Sequence, residues 1–422
     1  MRGLLFIVFL VYAALLMVRP QEFVPALQQT PLLQIVLLTA FVVWLFSSDK
    51  GLEHPQIWLL IPFMMIVWFG MGLAGWWGGI TKAIDKLLPP LLLFVISSGA
   101  VRSVVQLRIF MVFLIAGASI ITLHGHWQLL TGVGWTGAEP IEGRITYSGI
   151  FNDPNDIGLL LVVAIASIIY LLGQTTSFLL RLVLIAALGW MGYGVYLTDS
   201  RGTLLATLCV LGFYVWRRYG KAAVITAGLA AIPVLLATTR LAELNADEDS
   251  AEGRLDAWYE GILMLLHYPL FGVGYSNFVD HHNLTAHNSM VLAMAELGLV
   301  GYTVWLAIVG YSLYMLYWLT FRYAPLSGSA DSAPSPEVKR ETDASRALFA
   351  AMLGFCFGAF FLSQSYKYLL FMMCGLALGR YMGAQAVLGP LPKRSFLSDL
   401  PRWIGLNLAS VIGLYILLKL TL

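Results

Sequence analysis

Continuously apolar runs of about 16 to 20 residues recur along the whole chain, separated by short polar segments. A run of this length crosses a hydrocarbon core of about 30 Å as a single α-helix. The runs do not alternate between apolar and polar residues, so the pattern favours helices over a transmembrane barrel. It predicts an all-α, polytopic transmembrane helical bundle of twelve or thirteen helices. The segments lie approximately at 3–18, 31–48, 57–74, 87–100, 109–124, 157–173, 181–197, 202–217, 222–238, 289–320, 347–364, 368–386 and 403–420. The run at 87–100 contains Pro89 and Pro90, which predict a short or broken helix.

Composition agrees with a membrane protein. The chain is 59% hydrophobic and 11% charged, whereas a soluble domain carries roughly 25% charged residues. The three cysteines lie inside apolar runs, where packing is their ordinary role, and they form no CxxC pair. The first run has a basic start without a small-residue cleavage site behind it, so we expect a retained span.

The distribution of Lys and Arg predicts the orientation. With the N-terminus in the cytoplasm, sixteen of these residues fall inside and nine outside. Under this topology, three polar segments share the outer face, namely 125–156, 198–202 and 239–288. The predicted organisation is N-terminal transmembrane helices (1–124), a region holding the outer polar segments (125–320), a flexible cytoplasmic linker rich in Ser and Pro (321–346), and C-terminal transmembrane helices (347–422).

Three arginines on the predicted outer face are candidate anion ligands. Arg144, Arg201 and Arg254 each have a neighbouring glycine, and Arg201 occupies the short turn at 198–202. A guanidinium group remains charged and grips a phosphate through two parallel hydrogen bonds. The alternative is contact with lipid headgroups. Three such arginines on one face favour an anionic substrate.

His287 stands at the head of a run of about 32 apolar-rich residues, a helix of about 48 Å that is longer than the membrane core. A neutral imidazole at that position can take a proton from a sugar hydroxyl. His281 and His282 are close in sequence, but the spacing HHxxxxH is a weak zinc signal, and we expect no metal site and no cofactor.

Asparagines complete the set of candidate substrate ligands. Asn152 and Asn155 lie in FNDPND, and Asn288 follows His287. The FNDPND segment has two interpretations. Either its asparagines bind a sugar or phosphate oxygen, or the segment is a turn in which Asp156 caps the following helix.

Residues 254–266 predict an amphipathic helix. Its apolar stripe suits a helix lying in the membrane interface, either as a simple anchor or as the roof of a lateral opening for a lipid-linked substrate. The stripe consists of Leu255, Trp258, Tyr259, Ile262, Leu265 and Leu266. Glu296 is the clear acid inside a span, and we expect it to pair with a cation or with polar backbone.

A combination of motifs within about 140–305 resembles the O-antigen ligase and O-antigen polymerase superfamily. The motifs are SRG (200–202), Gly253-Arg254 with Trp258 four residues later, PLFGVG (269–274), His287-Asn288, and ELGLVG (296–301). The N-terminal helices resemble the superfamily in hydropathy alone. The combination is far more specific than any single motif.

The resemblance implies a membrane glycosyltransferase of the GT-C type in the bacterial inner membrane, with its active site facing the periplasm. The donor would be an undecaprenyl-pyrophosphate-linked glycan, and the acceptor a growing glycan, a lipid A core or a protein hydroxyl. The reaction would be inverting and metal-independent. Arg201 and Arg254 would neutralise the leaving pyrophosphate, His287 would activate the acceptor hydroxyl, and Arg144 would contact substrate. Membrane lipid is an expected partner, and nucleic acid is not.

The main alternative is a transporter or flippase of the lipid-linked sugar. Such a protein favours symmetric halves and ionisable residues at mid-membrane. A structural membrane scaffold would not explain the recurring Arg-Gly pairs. Here the polar groups collect on one predicted face, which favours an enzyme. No motif separates a ligase from a polymerase.

Overall fold

The computed structural model describes residues 1–47, 50–238, 244–322 and 335–421. These described residues are 79% helical and form no β-strand, so the predicted all-α fold is confirmed. The helices are α1 (Arg2–Val18), α2 (Pro20–Phe23), α3 (Leu32–Leu45), α4 (Pro55–Leu73), α5 (Gly79–Ala100), α6 (Val104–Thr131), α7 (Pro154–Gln174), α8 (Phe178–Thr198), α9 (Arg201–Tyr219), α10 (Lys221–Thr238), α11 (Leu244–His267), α12 (Phe278–His281), α13 (Ser289–Tyr317), α14 (Pro336–Ala359), α15 (Tyr368–Leu388) and α16 (Phe396–Thr421).

Each of the thirteen predicted apolar segments falls on a helix of its own. Among the described helices, seven are long and apolar enough to cross a membrane, and α1 and α3 are shorter apolar helices. The bundle is therefore polytopic. A total of twelve or thirteen spans stays a prediction.

Helix α5 corrects the expectation of a short or broken segment at 87–100. It begins at Gly79 and runs through Pro89 and Pro90. A proline inside a helix costs about 3 kcal/mol, but burial of the α5 side chains against α15 offsets this cost. The contact is close because α15 carries glycine every fourth residue, at 375, 379 and 383. A Cβ on any of these glycines would lie within 3 Å of backbone atoms of α5 or of the two residues that follow it, 101 and 102. Small residues at this spacing let helices approach in membranes.

The predicted linker at 321–346 is partly helical, which corrects its C-terminal boundary. Helix α14 begins at Pro336, and the Ser335 hydroxyl caps it by accepting a hydrogen bond from the Val338 amide. Farther along α14, Glu341 forms a buried ion pair with Arg380 of α15. This pair holds the start of α14 against the bundle. Residues 323–334 lie outside the described ranges.

Helix α13, which begins the long apolar run after His287, is kinked. The kink is at Gly298, with φ +63° and ψ −173°. The segment 269–274 runs beside the kink and pairs with it through backbone hydrogen bonds on both sides. The amides of Val273 and Gly274 donate to the carbonyl oxygens of residues 295 and 296 at 2.9 and 3.1 Å, and those of residues 299 and 300 donate to the oxygens of residues 269 and 270 at 2.8 and 3.1 Å.

Two glycines make this joint possible. A Cβ on Gly298 would lie 2.4 Å from the carbonyl carbon of Leu270, and a Cβ on Gly272 would lie 2.4 Å from the carbonyl oxygen of Ala295. Both glycines also have positive φ, which other residues adopt at a cost. The motifs PLFGVG and ELGLVG are therefore the two halves of one joint. This joint fixes the segment 269–274 onto α13.

Candidate functional site

A polar cavity of about 620 Å³ lies between the start of α7, the loop before α13 and the loop between α14 and α15. Its wall combines cations, carboxylates, amides, hydroxyls and aromatic rings. The polar and aromatic lining residues include Arg19, Asp85, Lys86, Asn152, Asp153, Asn155, Asp156, Tyr275, Ser276, Thr285, His287, Glu296, Ser363, Gln364, Tyr366, Lys367 and Tyr368. Three of the predicted site residues, Asn152, Asn155 and His287, are among them.

Asn155 connects the cavity to the arginines. Its Oδ1 accepts hydrogen bonds from Nη2 of Arg144 at 3.1 Å and from the hydroxyl of Ser200 at 2.6 Å. Arg144 also donates from Nε to the carbonyl oxygen of Thr198 at 2.8 Å. The side chain of Arg144 is thus held against the turn that precedes Arg201.

The three predicted arginines come together beside this turn. Burial lowers the pKa of Arg254, and the charges of Arg201 and Arg144 lower it further. The charges of Arg144 and Arg201 thus both act on Arg254. Arg201 is exposed and is the first residue of α9, whose N-terminal dipole adds further positive potential. The result is a cluster of positive charge at the edge of the cavity, which we call the arginine cluster (Arg144, Arg201 and Arg254).

His287 lies half-buried in the cavity wall, immediately before α13, with a left-handed backbone (φ +45°). Burial lowers its pKa, and the charge of Arg254 lowers it further, against a smaller opposite effect of Asp153. The imidazole is therefore neutral at neutral pH and is able to accept a proton.

Asn288 is fully buried, and its Oδ1 accepts hydrogen bonds from the amides of Met290 and Val291. Its side-chain oxygen thus serves as the N-cap of α13, whereas the sequence predicted a substrate ligand. The cap fixes the residue next to it, His287.

The nearby histidines point in other directions. His282 contacts the carboxylate of Asp256 at 3.1 Å, and His281 lines a separate groove with Tyr268. Across the described part of the chain, no three His, Cys, Asp or Glu side chains come together in a way that could hold a metal ion.

In the FNDPND segment, the residue that caps α7 is not the one expected. Asp153 is the N-cap of α7 and accepts a hydrogen bond from the Asn155 amide at 2.7 Å. Asp156 is instead buried, with Nζ of Lys367 at 2.9 Å and the amide group of Gln364 beside it. Asp156 thus fastens the loop between α14 and α15 to the start of α7, a role that a local capping pattern does not reveal.

Three basic residues of the cavity were not among the candidates. Arg19, Lys86 and Lys367 come from parts of the sequence that carry no motif. Arg19 pairs with Glu22, and its guanidinium lies against Gly149 of the segment that leads into FNDPND. The available signal was the charge distribution, which placed all three in the predicted outer set.

Glu296, Tyr275 and Tyr366 also line the cavity. One carboxylate oxygen of Glu296 accepts a hydrogen bond from the Phe278 amide at 3.3 Å, so the expected pairing with polar backbone is found. The rings of Tyr275 and Tyr366 meet edge to face at 4.8 Å. Burial and the neighbouring Glu296 raise the pKa of Tyr366 well above the ordinary tyrosine value, so its hydroxyl remains a donor.

Comparison with known families bears on the motif region. Residues 186–306 match the family model described as O-antigen ligase. The resemblance predicted from the motifs is confirmed. No curated protein matches the chain.

The matched segment contributes Arg201, Arg254, His287 and Glu296, and it also contains the joint at Gly298. The remaining walls of the cavity come from outside the segment. They are supplied by residues 19, 85–86, 149–156 and 362–368. The site is thus assembled from the matched segment and from both flanking parts of the chain.

Within the matched segment, α11 is the helix predicted at 254–266. Trp258, Ile262 and Leu265 are buried, whereas Leu266 at the end of the predicted stripe is 66% exposed. The ring of Trp258 meets that of Phe360 at 5.5 Å. Most of the stripe therefore packs against the bundle, and this packing sets the position of Arg254 at the start of the stripe.

Proposed function

We propose that this protein is a membrane glycosyltransferase of the O-antigen ligase or polymerase type. It moves an oligo- or polysaccharide from undecaprenyl pyrophosphate to an acceptor hydroxyl at the periplasmic face, in the synthesis of cell-surface polysaccharide. The observation that carries the proposal is the meeting of the arginine cluster with a neutral His287 at the edge of one polar cavity.

The chemistry follows from the charges. The acceptor oxygen attacks the anomeric carbon, the bond from that carbon to the pyrophosphate oxygen breaks, and the pyrophosphate leaves with its electron pair. His287 takes the proton of the acceptor hydroxyl. Arg201 and Arg254 stabilise the negative charge that develops on the leaving group, and Arg144 holds the pyrophosphate with Asn155. A single displacement of this kind inverts the anomeric configuration.

Fixed guanidinium groups supply the positive charge that a metal ion supplies in other transferases, so we propose a metal-independent reaction. Asn152 and Asn155 line the cavity where sugar oxygens would lie. In this scheme 125–320 is the catalytic region, and the helices at 1–124 and 347–422 build the cavity walls around it. The acceptor is a glycan end, a lipid A core or a protein hydroxyl.

The alternative of a flippase is not favoured. The match to the O-antigen ligase family supports group transfer.

The test is transfer by the purified protein in lipid nanodiscs, with an undecaprenyl-pyrophosphate glycan and each acceptor class in turn. Arg201→Gln and Arg254→Gln each remove one donor to the leaving group, and we expect at least a 100-fold loss in rate, equivalent to about 3 kcal/mol. Arg181→Gln is the matched control, because Arg181 is an exposed arginine at the far end of α8. Equal rates in the three variants would refute the proposed roles.

A further inference from the structure

A second cavity, of about 770 Å³, lies at the opposite end of α9 from the arginine cluster. Arg201 is the first residue of α9, and Trp216 in the wall of this cavity comes 15 residues later (201 to 216). At about 1.5 Å per residue, the two positions are about 23 Å apart along the helix. The second cavity therefore lies toward the other membrane face, which is the cytoplasmic face in the predicted topology.

The interior of this cavity is apolar and aromatic. One wall is a stripe of α9 (residues 208–216), in which the lining positions recur every fourth residue and so share one helix face. The rings of Phe321 and Phe349 line another wall and meet edge to face at 5.6 Å. Trp216 and Ile225 are exposed members of the lining, so the cavity opens onto the outer surface of the bundle. In a membrane, such a surface faces lipid chains.

Three basic residues lie where α9 ends and α10 begins. Lys221 lines the cavity, and the guanidinium carbon of Arg217 lies 5.3 Å from the centre of the Phe321 ring. Arg218 is the next residue, and all three basic residues are exposed. The ion pairs between residues that the structure describes on α14, such as that of Arg346 with Asp343, include none of the three. An apolar cavity and a cluster of positive charge thus adjoin each other.

We propose that this cavity binds an anionic phospholipid, with an acyl chain along the α9 stripe and the headgroup phosphate between Arg217 and Lys221. A guanidinium group and an ammonium group both pair with phosphate. Basic pockets between transmembrane helices at the cytoplasmic face select anionic headgroups, whereas the ammonium group of a zwitterionic headgroup is repelled by the same cations.

The bound lipid is distinct from the glycan donor, because the pyrophosphate of the donor belongs at the arginine cluster on the other face. The lipid contacts α9, α10, α13 and α14 together. It therefore holds these helices to one another at the end of the bundle remote from the polar cavity. This site goes beyond the proposed function and does not depend on it.

The test titrates phosphatidylglycerol or phosphatidylcholine into the full-length protein in detergent and measures lipid binding by native mass spectrometry. We expect the wild type to prefer phosphatidylglycerol. The double variant Arg217→Gln/Lys221→Gln should bind it about 30-fold more weakly, since each basic residue near an anionic lipid surface contributes about fivefold. The matched control is Lys339→Gln/Arg340→Gln, which removes two exposed charges from α14 outside the cavity lining.

A further variant tests the apolar part of the cavity. Gly212→Leu places a side chain in the cavity and leaves the basic residues intact. The nearest atom to a Cβ at Gly212 would be Cγ1 of Val224 at 3.9 Å, so the backbone accommodates the change. We expect about 10-fold weaker binding of phosphatidylglycerol, because two methylene groups displaced from an apolar site contribute about that much. Inorganic phosphate, which has no chain, should not displace the lipid.

Four results would each overturn the lipid site. They are equal binding of the two lipids by the wild type, an equal loss in the Lys339→Gln/Arg340→Gln control, unchanged binding by Gly212→Leu, and displacement of the lipid by inorganic phosphate. If Gly212→Leu does not fold, the comparison of the two charge variants decides the question. Lipid binding is measured without turnover, so a failure of the proposed function leaves this test intact.

Discussion

Replacing Gly298 by alanine should open the joint between the segment 269–274 and α13. The residue has φ +63° and ψ −173°, a region that is essentially restricted to glycine and costs other residues about 1–3 kcal/mol. The added Cβ would also lie 2.4–2.5 Å from backbone atoms of Leu270 and Phe271. Backbone atoms cannot rotate away as a side chain does, so the segment 269–274 has to move.

The magnitude follows from these two contributions. Strain contributes about 2 kcal/mol. Movement of the segment breaks at least one of the four backbone hydrogen bonds of the joint, each worth about 1 kcal/mol net. We therefore expect Gly298→Ala to lower the free energy of unfolding by about 3 kcal/mol. Transfer should fall as well, because Tyr275 and Glu296 flank the joint.

Two measurements check this prediction in detergent or nanodiscs, namely the unfolding midpoint and amide hydrogen exchange of the peptide covering 269–274. The matched control is Gly405→Ala in α16, where a Cβ would meet no atom within 4 Å and alanine improves helix propensity. We expect faster exchange of the Val273 and Gly274 amides in Gly298→Ala alone. The reasoning is refuted if both variants unfold at the same midpoint with wild-type exchange.

Three further predictions concern charge. The charge of Arg254 contributes to lowering the pKa of His287. Arg254→Gln should therefore raise the pKa of His287 and move the acid limb of the kcat/KM profile to higher pH, whereas Arg254→Lys keeps the charge and should leave that limb in place. Superimposable pH profiles of the two variants would contradict this. Glu341→Gln removes the counter-charge of the buried Arg380 and should lower the free energy of unfolding by about 3 kcal/mol in denaturant titrations, unlike the exposed control Glu337→Gln; equal midpoints would argue against it. EDTA should leave the transfer rate unchanged, and a loss restored by added divalent metal would show a metal requirement.

The helices could be predicted because burial in a membrane imposes a long apolar run on each of them. All thirteen runs correspond to helices in the structure. Errors arose where a contact distant in sequence decides the outcome. Pro89 and Pro90 predict a break locally, but α15 packs on α5 through its glycines. Similarly, residues 336–346 have linker composition, but the pair of Glu341 with Arg380 anchors them.

In the candidate site too, local motifs could be predicted from the sequence, whereas contacts between distant parts of the chain could not. The sequence motifs pointed to Arg201, Arg254 and His287, and the structure brings them near one cavity. The side-chain oxygen of Asn288 caps α13, a role that its position at a helix start could have indicated, and its binding of substrate stays a prediction. Lys367 and Arg19 lie far from any motif, and their place in the cavity depends on how helices distant in sequence pack together.

The hydrogen bonds that Arg144 and Ser200 both make to Asn155 have a consequence for how such proteins diversify. Ser200 lies in the matched segment and Arg144 and Asn155 lie upstream of it. A recombination that exchanged residues 186–306 alone would join a new turn before α9 to the old Arg144 and Asn155. Chimeras should therefore keep Arg144 in its place only if the grafted turn again offers Asn155 a hydroxyl.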